Sequence, residues 1–352
     1  MLKEIRLFTA GSEYAVCHVC AHECKVKEDK FGICGTKKNI SGVLYDVNYG
    51  IIAAQFNDPV EKKPLFHFLP GSFSYSIGSP GCNFRCSGCL NADISQTYRD
   101  DDLKAYRNKI ASIPETEPHH IVERAIACGA KSISYTYTEP SVFLEYGLEV
   151  MEKAFEKGLK NIFVTNGYFT DVSINALGNY LDAANIDIKF FNDRSYRKVC
   201  GGTIRPVLNT IEKLFASGVH IELATLLIEG YNDSEEELKG IAGYISQFDK
   251  NIPWHISKFI PYYKMKDVAE TGTSSIQKAY EMGRVCGLNY IYAAGSAENG
   301  HMNTICPSCK NVIVNRKGFY SDEVKITAEG LCGYCGFEIY GYFNDNGLLM
   351  AY

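Results

Sequence analysis

Cys82, Cys86 and Cys89 stand close together in the run Gly81-Cys82-Asn83-Phe84-Arg85-Cys86-Ser87-Gly88-Cys89. The spacing C-x3-C-x2-C lets one tight loop wrap a cubane of iron and sulfide and ligate three of its irons. A [4Fe–4S] cluster normally takes four cysteines, so three leave one iron open to a ligand from outside the chain. A buried thiol cluster, or a zinc site lacking its fourth ligand, is the competing reading. The flanking glycines and the position directly after a β-rich run favour the cluster.

Two further cysteine sets flank this loop. Cys17, Cys20, Cys24 and Cys34 form C-x2-C-x3-C-x9-C, a tetrathiolate set that suits zinc or an auxiliary iron–sulfur cluster alike. His18 and His22 are read there as bystanders. Cys306, Cys309, Cys332 and Cys335 form two C-x2-C pairs with 22 residues between them, the signature of a zinc ribbon. Such a ribbon can bind nucleic acid, but its loops carry Glu323, Glu329, Glu338 and Asp345 beside Lys310, Arg316, Lys317 and Lys325. A structural or protein-contacting ribbon is the better reading. Of the lone cysteines, Cys200 in Val199-Cys200-Gly201-Gly202 is the one placed to overhang a pocket, where a thiol can donate a hydrogen atom. Cys128 and Cys286 read as core residues at helix ends.

Fourteen cysteines sorted this way imply metal ligation in a reducing compartment rather than a disulfide framework. The chain of 352 residues has room for one large domain with small appendages. A net charge of −5, with no long basic run, argues against nucleic acid as a partner. The first residues lack a signal-peptide core and no apolar run is long enough to span a membrane. A cytoplasmic protein is expected.

These cysteines need a scaffold, and the stretch between about 72 and 294 supplies the pattern of one. Short β-rich runs at 72–77, 132–137, 161–165, 185–189, 220–228, 254–260 and 289–293 alternate with helical periodicity, as at 142–155 before Gly158. Residues 233–237 read as a capped helix start with acid in its first turn. Regular β–α alternation predicts a parallel sheet, and about six units give an open or partial barrel. Chemistry in such barrels sits where strands end and loops begin. The predicted organisation is a Cys-rich metal-binding segment (1–70) with a hairpin at 40–54, an α/β partial barrel (71–297) and a zinc ribbon (298–352).

The strand ends carry further polar groups. Tyr137-Thr138-Glu139-Pro140 closes the second strand, and a carboxylate there beside backbone carbonyls can bind an ammonium group. Thr165-Asn166-Gly167 closes the third, where the Asn166 amide can meet hydroxyls; a plain Asn-Gly turn is the alternative. Asp187-Ile188-Lys189 puts two charges on one face of the fourth strand. Tyr135, Tyr137 and Tyr168 are candidate cavity walls.

The run 81–89 with Asn91-Ala92-Asp93-Ile94-Ser95-Gln96, and Tyr135 to Pro140, resembles the radical S-adenosylmethionine (SAM) enzymes related to pyruvate formate-lyase activating enzyme. The four-Cys N-terminal segment, residues 59–71, Pro253-Trp254-His255-Ile256-Ser257-Lys258-Phe259 and the closing ribbon resemble, more narrowly, the AmmeMemoRadiSam-system radical SAM enzyme. The resemblance covers nearly the whole chain. It implies a partial (β/α)6 radical SAM barrel and SAM on the open iron of a [4Fe–4S] cluster. It also implies reductive cleavage to a 5′-deoxyadenosyl radical that takes hydrogen from an unidentified metabolite or peptide.

Carried over residue by residue, Tyr137, Thr138 and Glu139 fall where activating enzymes have a Gly-Gly-Glu motif for the SAM ammonium, with both glycines replaced. Asp187 and Lys189 fall on an Asp-Leu-Lys pattern, Lys189 as a candidate for the SAM carboxylate. His255, expected near the last strand's mouth, can meet SAM or substrate, or be a core histidine. An electron donor such as ferredoxin or flavodoxin is implied, and Memo-like and Ammecr-like proteins are implied partners. A glycyl-radical activase and a metal-dependent binding scaffold holding zinc are the alternative functions.

Overall fold

The computed structural model describes residues 2–100, 103–295 and 300–344. Its main sheet has eight strands in chain order: β1 (Ala54–Pro59), β2 (Phe73–Gly78), β3 (Ser132–Tyr135), β4 (Lys160–Thr165), β5 (Ala183–Asp187), β6 (His220–Leu227), β7 (Trp254–Lys258) and β8 (Ile291–Ala293). β2 to β8 run parallel, each beside the next. All seven lie within two residues of the runs read from the sequence. Between successive parallel strands come the helices α1 (Pro118–Ala127), α2 (Leu144–Glu156), α3 (Asp171–Leu177), α4 (Ile204–Ala216), α5 (Glu235–Asp249) and α6 (Thr273–Val285). The result is the mixed α/β fold expected from β–α alternation.

Local chemistry sets the helix ends. Ser234 accepts from the Glu237 amide, and three glutamates fill the first turn of α5, where they complement the helix dipole. Thr170 and Ser173 form a reciprocal capping box on α3. Gly158, at φ +73, turns the chain out of α2.

β1 was not legible beforehand. It pairs antiparallel with β2 along its whole length and ends in Pro59, tolerable because an edge strand need not donate on its outer side. The predicted hairpin is tighter than 40–54: it joins Lys37–Ile40 to Val43–Asp46 through Ser41 (φ 53) and Gly42 (φ 83), two left-handed residues that make a primed turn. That hairpin and Lys3–Glu4 form one small sheet, and Phe8–Thr9, Tyr14–Cys17 and Lys25–Lys27 form another. Buried Lys37 ties this segment to α2, its Nζ 2.9 Å from Asp46 and 2.7 Å from Glu145.

The N-terminal ends of the strands are sealed. Leu65, Phe68 and Leu69 pack with Ile162 and Ala183 at the starts of β4 and β5, together with Tyr342. The Phe66 and His67 amides donate to Glu222 of β6 at 3.0 and 2.7 Å. The three short strands Thr304–Ile305, Val312–Lys317 and Tyr320–Val324 form the ribbon, which docks on this same floor. Arg316 donates to Phe66 O (2.7 Å) and Thr304 Oγ1 (2.8 Å), and Tyr342 N to His67 O (2.7 Å). The predicted boundary at 297/298 and Asp345 lie outside the described residues.

Candidate active site

β2 delivers the chain to the cysteine loop through Gly78, and the loop is gripped from three sides. Gly81 sits at φ +104, and a Cβ there would stand 2.7 Å from Thr36 Cγ2 and 2.8 Å from Cys34 O; only glycine fits. From the short turns Ala92–Ser95 and Thr97–Asp100, Gln96 and Arg99 donate to Phe84 O at 3.1 and 3.0 Å, and Arg99 also to Cys82 O at 3.0 Å. From the opposite side, Arg85 N donates to Cys200 O (2.8 Å) and Ser87 N to Val199 O (3.0 Å). Gly202 lies against Phe84 and left-handed Gly201 against Arg85, closer than a side chain would allow.

The loop opens on a cavity of about 620 Å³ at the C-terminal ends of the strands. Cys82, Cys86 and Cys89 line it with Tyr137, Thr138, Glu139, Asn166, Asp187, Lys189 and Cys200. Four chain segments far apart in sequence thus meet where strand order predicts chemistry.

Glu139 is buried, its Oε1 accepting from Thr165 Oγ1 (2.7 Å) and its Oε2 from Asn166 N (2.8 Å). Burial nevertheless pushes its carboxyl up to about 7, against the lowering pull of those donors. Asn166 turns its amide to Asn83 Oδ1 at 2.7 Å, bracing the cysteine loop. Thr138 donates to Ser79 O at 2.7 Å. Tyr137 takes φ 65 while Thr138 N bonds back to Thr136 O at 2.8 Å, a tight turn of the strained left-handed kind. Glycine is the cheap residue for that geometry, and here a tyrosine is held in it. Its hydroxyl donates to Asp58 (2.6 Å), its carbonyl accepts from Asn91 (2.7 Å), and Lys63 Nζ lies 4.8 Å from its ring.

Lys189 Nζ is 2.6 Å from Asp187 Oδ2, so the pair is aimed together, Asp187 at the end of β5 and Lys189 two residues on. Burial opposes the Lys189 charge, but Asp187 and the Cys86 and Cys200 sulfurs beside it raise its pKa. Cys200 is buried, and its presence beside Cys86 lowers the Cys86 thiol to about 7. Cys82 is pushed well up by burial, and Cys89 up, its sulfur 3.2 Å from Ser95 Oγ.

His255 is not at the mouth. It sits at the second position of β7, toward the floor, with Nε2 2.6 Å from Glu222 and its ring against Phe66 and Tyr292. Glu222 also accepts from His220 at 3.1 Å, and these donors hold it far below the usual carboxylate range although burial opposes this. His255 is therefore part of a buried polar network, and Ser257, two residues on, takes the cavity position. Tyr135 is buried on Asn161 (3.0 Å) and Tyr168 packs on His22 and Phe84; of the three tyrosines only Tyr137 lines the cavity. Cys128 caps α1 but is exposed rather than in the core. The sequence reading assigned no role to Asn83, Asn91, Gln96, Arg99, Lys62 or Lys63. Asn91 and Gln96 fell in a recognised run, but their task is to brace backbone, which composition does not signal.

The donor set fits an iron–sulfur cluster with an exchangeable corner: three thiols from one preformed loop face a cavity with space beyond them. Glu139 and the Asp187–Lys189 pair stand across that space with charges suited to an ammonium and a carboxylate. The other cysteine sets also converge. Cys17, Cys20, Cys24 and Cys34 line a separate small cavity, and Cys306, Cys309, Cys332 and Cys335 bring their sulfurs within 4.8 Å of one another.

Comparison with known proteins agrees with this geometry. The model of the Radical SAM superfamily matches residues 76–240. The uncharacterized protein MJ0808 of Methanocaldococcus jannaschii is 38% identical over 325 residues, covering 92% of this chain and 94% of its own. The 7-carboxy-7-deazaguanine synthase of the same organism is 26% identical over 243 residues, 64% of this chain and 91% of its own. The 4-hydroxyphenylacetate decarboxylase activating enzyme of Clostridium scatologenes is 25% identical over 151 residues, 42% of this chain and 46% of its own. With a cysteine loop gripped at the head of a charged cavity, this chain belongs to the radical SAM superfamily of enzymes and has homology to its activating enzymes.

Proposed function

We propose that the chain is a radical SAM enzyme acting on a metabolite or peptide in the cavity above Cys82, Cys86 and Cys89. The observation that carries this reading is the facing of three loop thiols by Glu139, Asp187 and Lys189 across one space of about 620 Å³. Cys82, Cys86 and Cys89 would hold a [4Fe–4S] cluster. When bound, cluster and SAM together supply a 5′-deoxyadenosyl radical able to abstract hydrogen from a substrate. Glu139 would accept from the methionyl ammonium with Thr138 and Tyr137 shaping the backbone beside it, Asn166 would orient the loop and the sugar, and Lys189 would take the carboxylate. Cys200, its thiol against Cys86, would be the hydrogen donor of the cavity. Strands β2 to β7 would be the six-unit partial barrel.

The C-terminal ribbon would hold zinc in a structural role on the barrel floor, and the N-terminal four cysteines zinc or an auxiliary iron–sulfur cluster. The electron would come from a one-electron carrier such as ferredoxin or flavodoxin, in the cytoplasm; no described helix is long and apolar enough to cross a membrane. The narrower likeness, with its Memo-like and Ammecr-like partners, belongs to the same proposal.

The test is anaerobic reconstitution followed by SAM and dithionite. 5′-Deoxyadenosine is expected from the wild type and lost in Cys86→Ala. Equal yield from both, or none from the wild type, would refute the assignment.

A further inference from the structure

The four N-terminal cysteines converge without crowding. Cys17, Cys20, Cys24 and Cys34 wall one cavity with Val19, Ile33 and Val142. A Cβ on Gly32 would stand 3.8 Å from both Cys24 Sγ and Cys34 Sγ. Yet among the described residues the cysteines whose sulfurs gather within 4.8 Å are those of the C-terminal set, not these. The loop cysteines Cys82, Cys86 and Cys89 share the wider spacing.

That contrast bears on the metal. A single zinc ion, about 2.3 Å from each of four thiolates, draws tetrahedral sulfurs to about 3.8 Å from one another. The C-terminal set has this spacing, with Cys306 and Cys335 sulfurs 3.7 Å apart and those of Cys309 and Cys332 3.8 Å apart. A cubane puts four separate irons between the thiolates and keeps their sulfurs further apart. The N-terminal set is spread wider than one zinc ion would hold it, around a hollow lined by Val19, Ile33 and Val142 with Lys37, Asn83 and Ser141.

We infer that Cys17, Cys20, Cys24 and Cys34 hold a second [4Fe–4S] cluster, ligated by all four. This deepens the cofactor reading above, which left zinc open at this site. The neighbouring histidines are otherwise engaged, His18 with Thr9 Oγ1 (2.8 Å) and His22 with Asn83 O (3.0 Å). A cluster with every iron ligated has no corner for SAM, so its chemistry is one-electron transfer.

Its position suits that task. Asn83 walls the N-terminal cavity, while its chain neighbour Cys82 walls the cavity at the strand ends. Arg99 donates to Ile33 O at 2.8 Å and to Cys82 O at 3.0 Å, so one guanidinium fixes both cysteine segments.

The decisive variant replaces Cys82, Cys86 and Cys89 together with alanine in the full chain, reconstituted anaerobically. About four irons and four sulfides per chain should remain, with visible absorption bleached by dithionite and about one zinc from the ribbon. Adding Cys20→Ser and Cys34→Ser should remove the iron. About two zinc ions and no sulfide in the triple variant would overturn the inference. Should that variant fail to fold, wild-type protein decides by its metal content: about eight irons and one zinc support it, and about four irons and two zincs refute it. A triple variant that keeps its cluster while the wild type makes no 5′-deoxyadenosine would sink the proposed function and leave this inference standing.

Discussion

Cys200 is buried beside Cys86 on the wall of one cavity, and two backbone bonds from the Cys82–Cys89 loop to Val199 and Cys200 hold the two segments together. A buried thiol so placed is an exchangeable hydrogen beside the loop. In deuterated buffer without substrate, wild-type protein turning over SAM should release 5′-deoxyadenosine carrying one solvent deuterium. Cys200→Ala should release it without the label while keeping its iron and sulfide. Unlabelled product from the wild type would remove Cys200 from the chemistry, and loss of iron in Cys200→Ala would instead make it a ligand.

Glu139 accepts hydrogen bonds only through lone pairs, so its protonation state governs an ammonium ligand. With its carboxyl raised to about 7, SAM affinity should fall as pH drops through that value. Glu139→Gln should bind about tenfold to a hundredfold more weakly at pH 8, the size expected for a hydrogen bond to a charged group, and lose the acid-side slope. Equilibrium binding of SAM across pH 6 to 8 checks both; an unchanged slope in the variant would assign the titration elsewhere.

Lys37 neutralises two buried carboxylates, Asp46 and Glu145, that pack α2 against the N-terminal sheet. Lys37→Met should cost about 3–5 kcal/mol, as when one member of a buried ion pair is removed. Burial already raises the Asp46 carboxyl. A folded-state value above the unfolded one means that stability falls as pH climbs from the unfolded carboxylate range. The defect should therefore be larger at pH 8 than at pH 5, read by thermal shift.

Arg316 is buried on the floor with three carbonyl or hydroxyl partners and stacks over Phe66 at 4.1 Å. Arg316→Ala should destabilise by about 3 kcal/mol through lost charged hydrogen bonds. Its effect on SAM affinity should stay within about twofold, because the ribbon binds the opposite end of the strands from Glu139. A large loss of SAM binding with an unshifted melting temperature would contradict that separation.

What was legible in the sequence follows from periodicity and ligand chemistry. β2 to β8 declared themselves because buried parallel strands are short apolar runs separated by helical ones. The cysteines were found because thiolates at short spacing have few other uses. Asp187 and Lys189 were paired correctly because side chains two apart share a face. β1 escaped because Gln55, Phe56 and Asn57 alternate no apolar face; its place is set by pairing with β2. His255 misled because residues 255 and 257 of one strand share a face yet lie at different depths, and depth depends on register with β6 and β8. The left-handed turn at Tyr137 was invisible for a related reason: its stability comes from Asp58, Lys63 and Asn91, which reach it only in the folded chain.

The floor has a consequence for how the molecule is made. Arg316 and Phe66 are 250 positions apart, and the strands stay unsealed beneath until both are in place. Contacts of such separation are non-local and cannot form until both ends of the chain have been made. On the ribosome the cysteines of the mouth would thus emerge and meet iron well before the base of the sheet shuts, so cofactor insertion and final compaction are separate events in time.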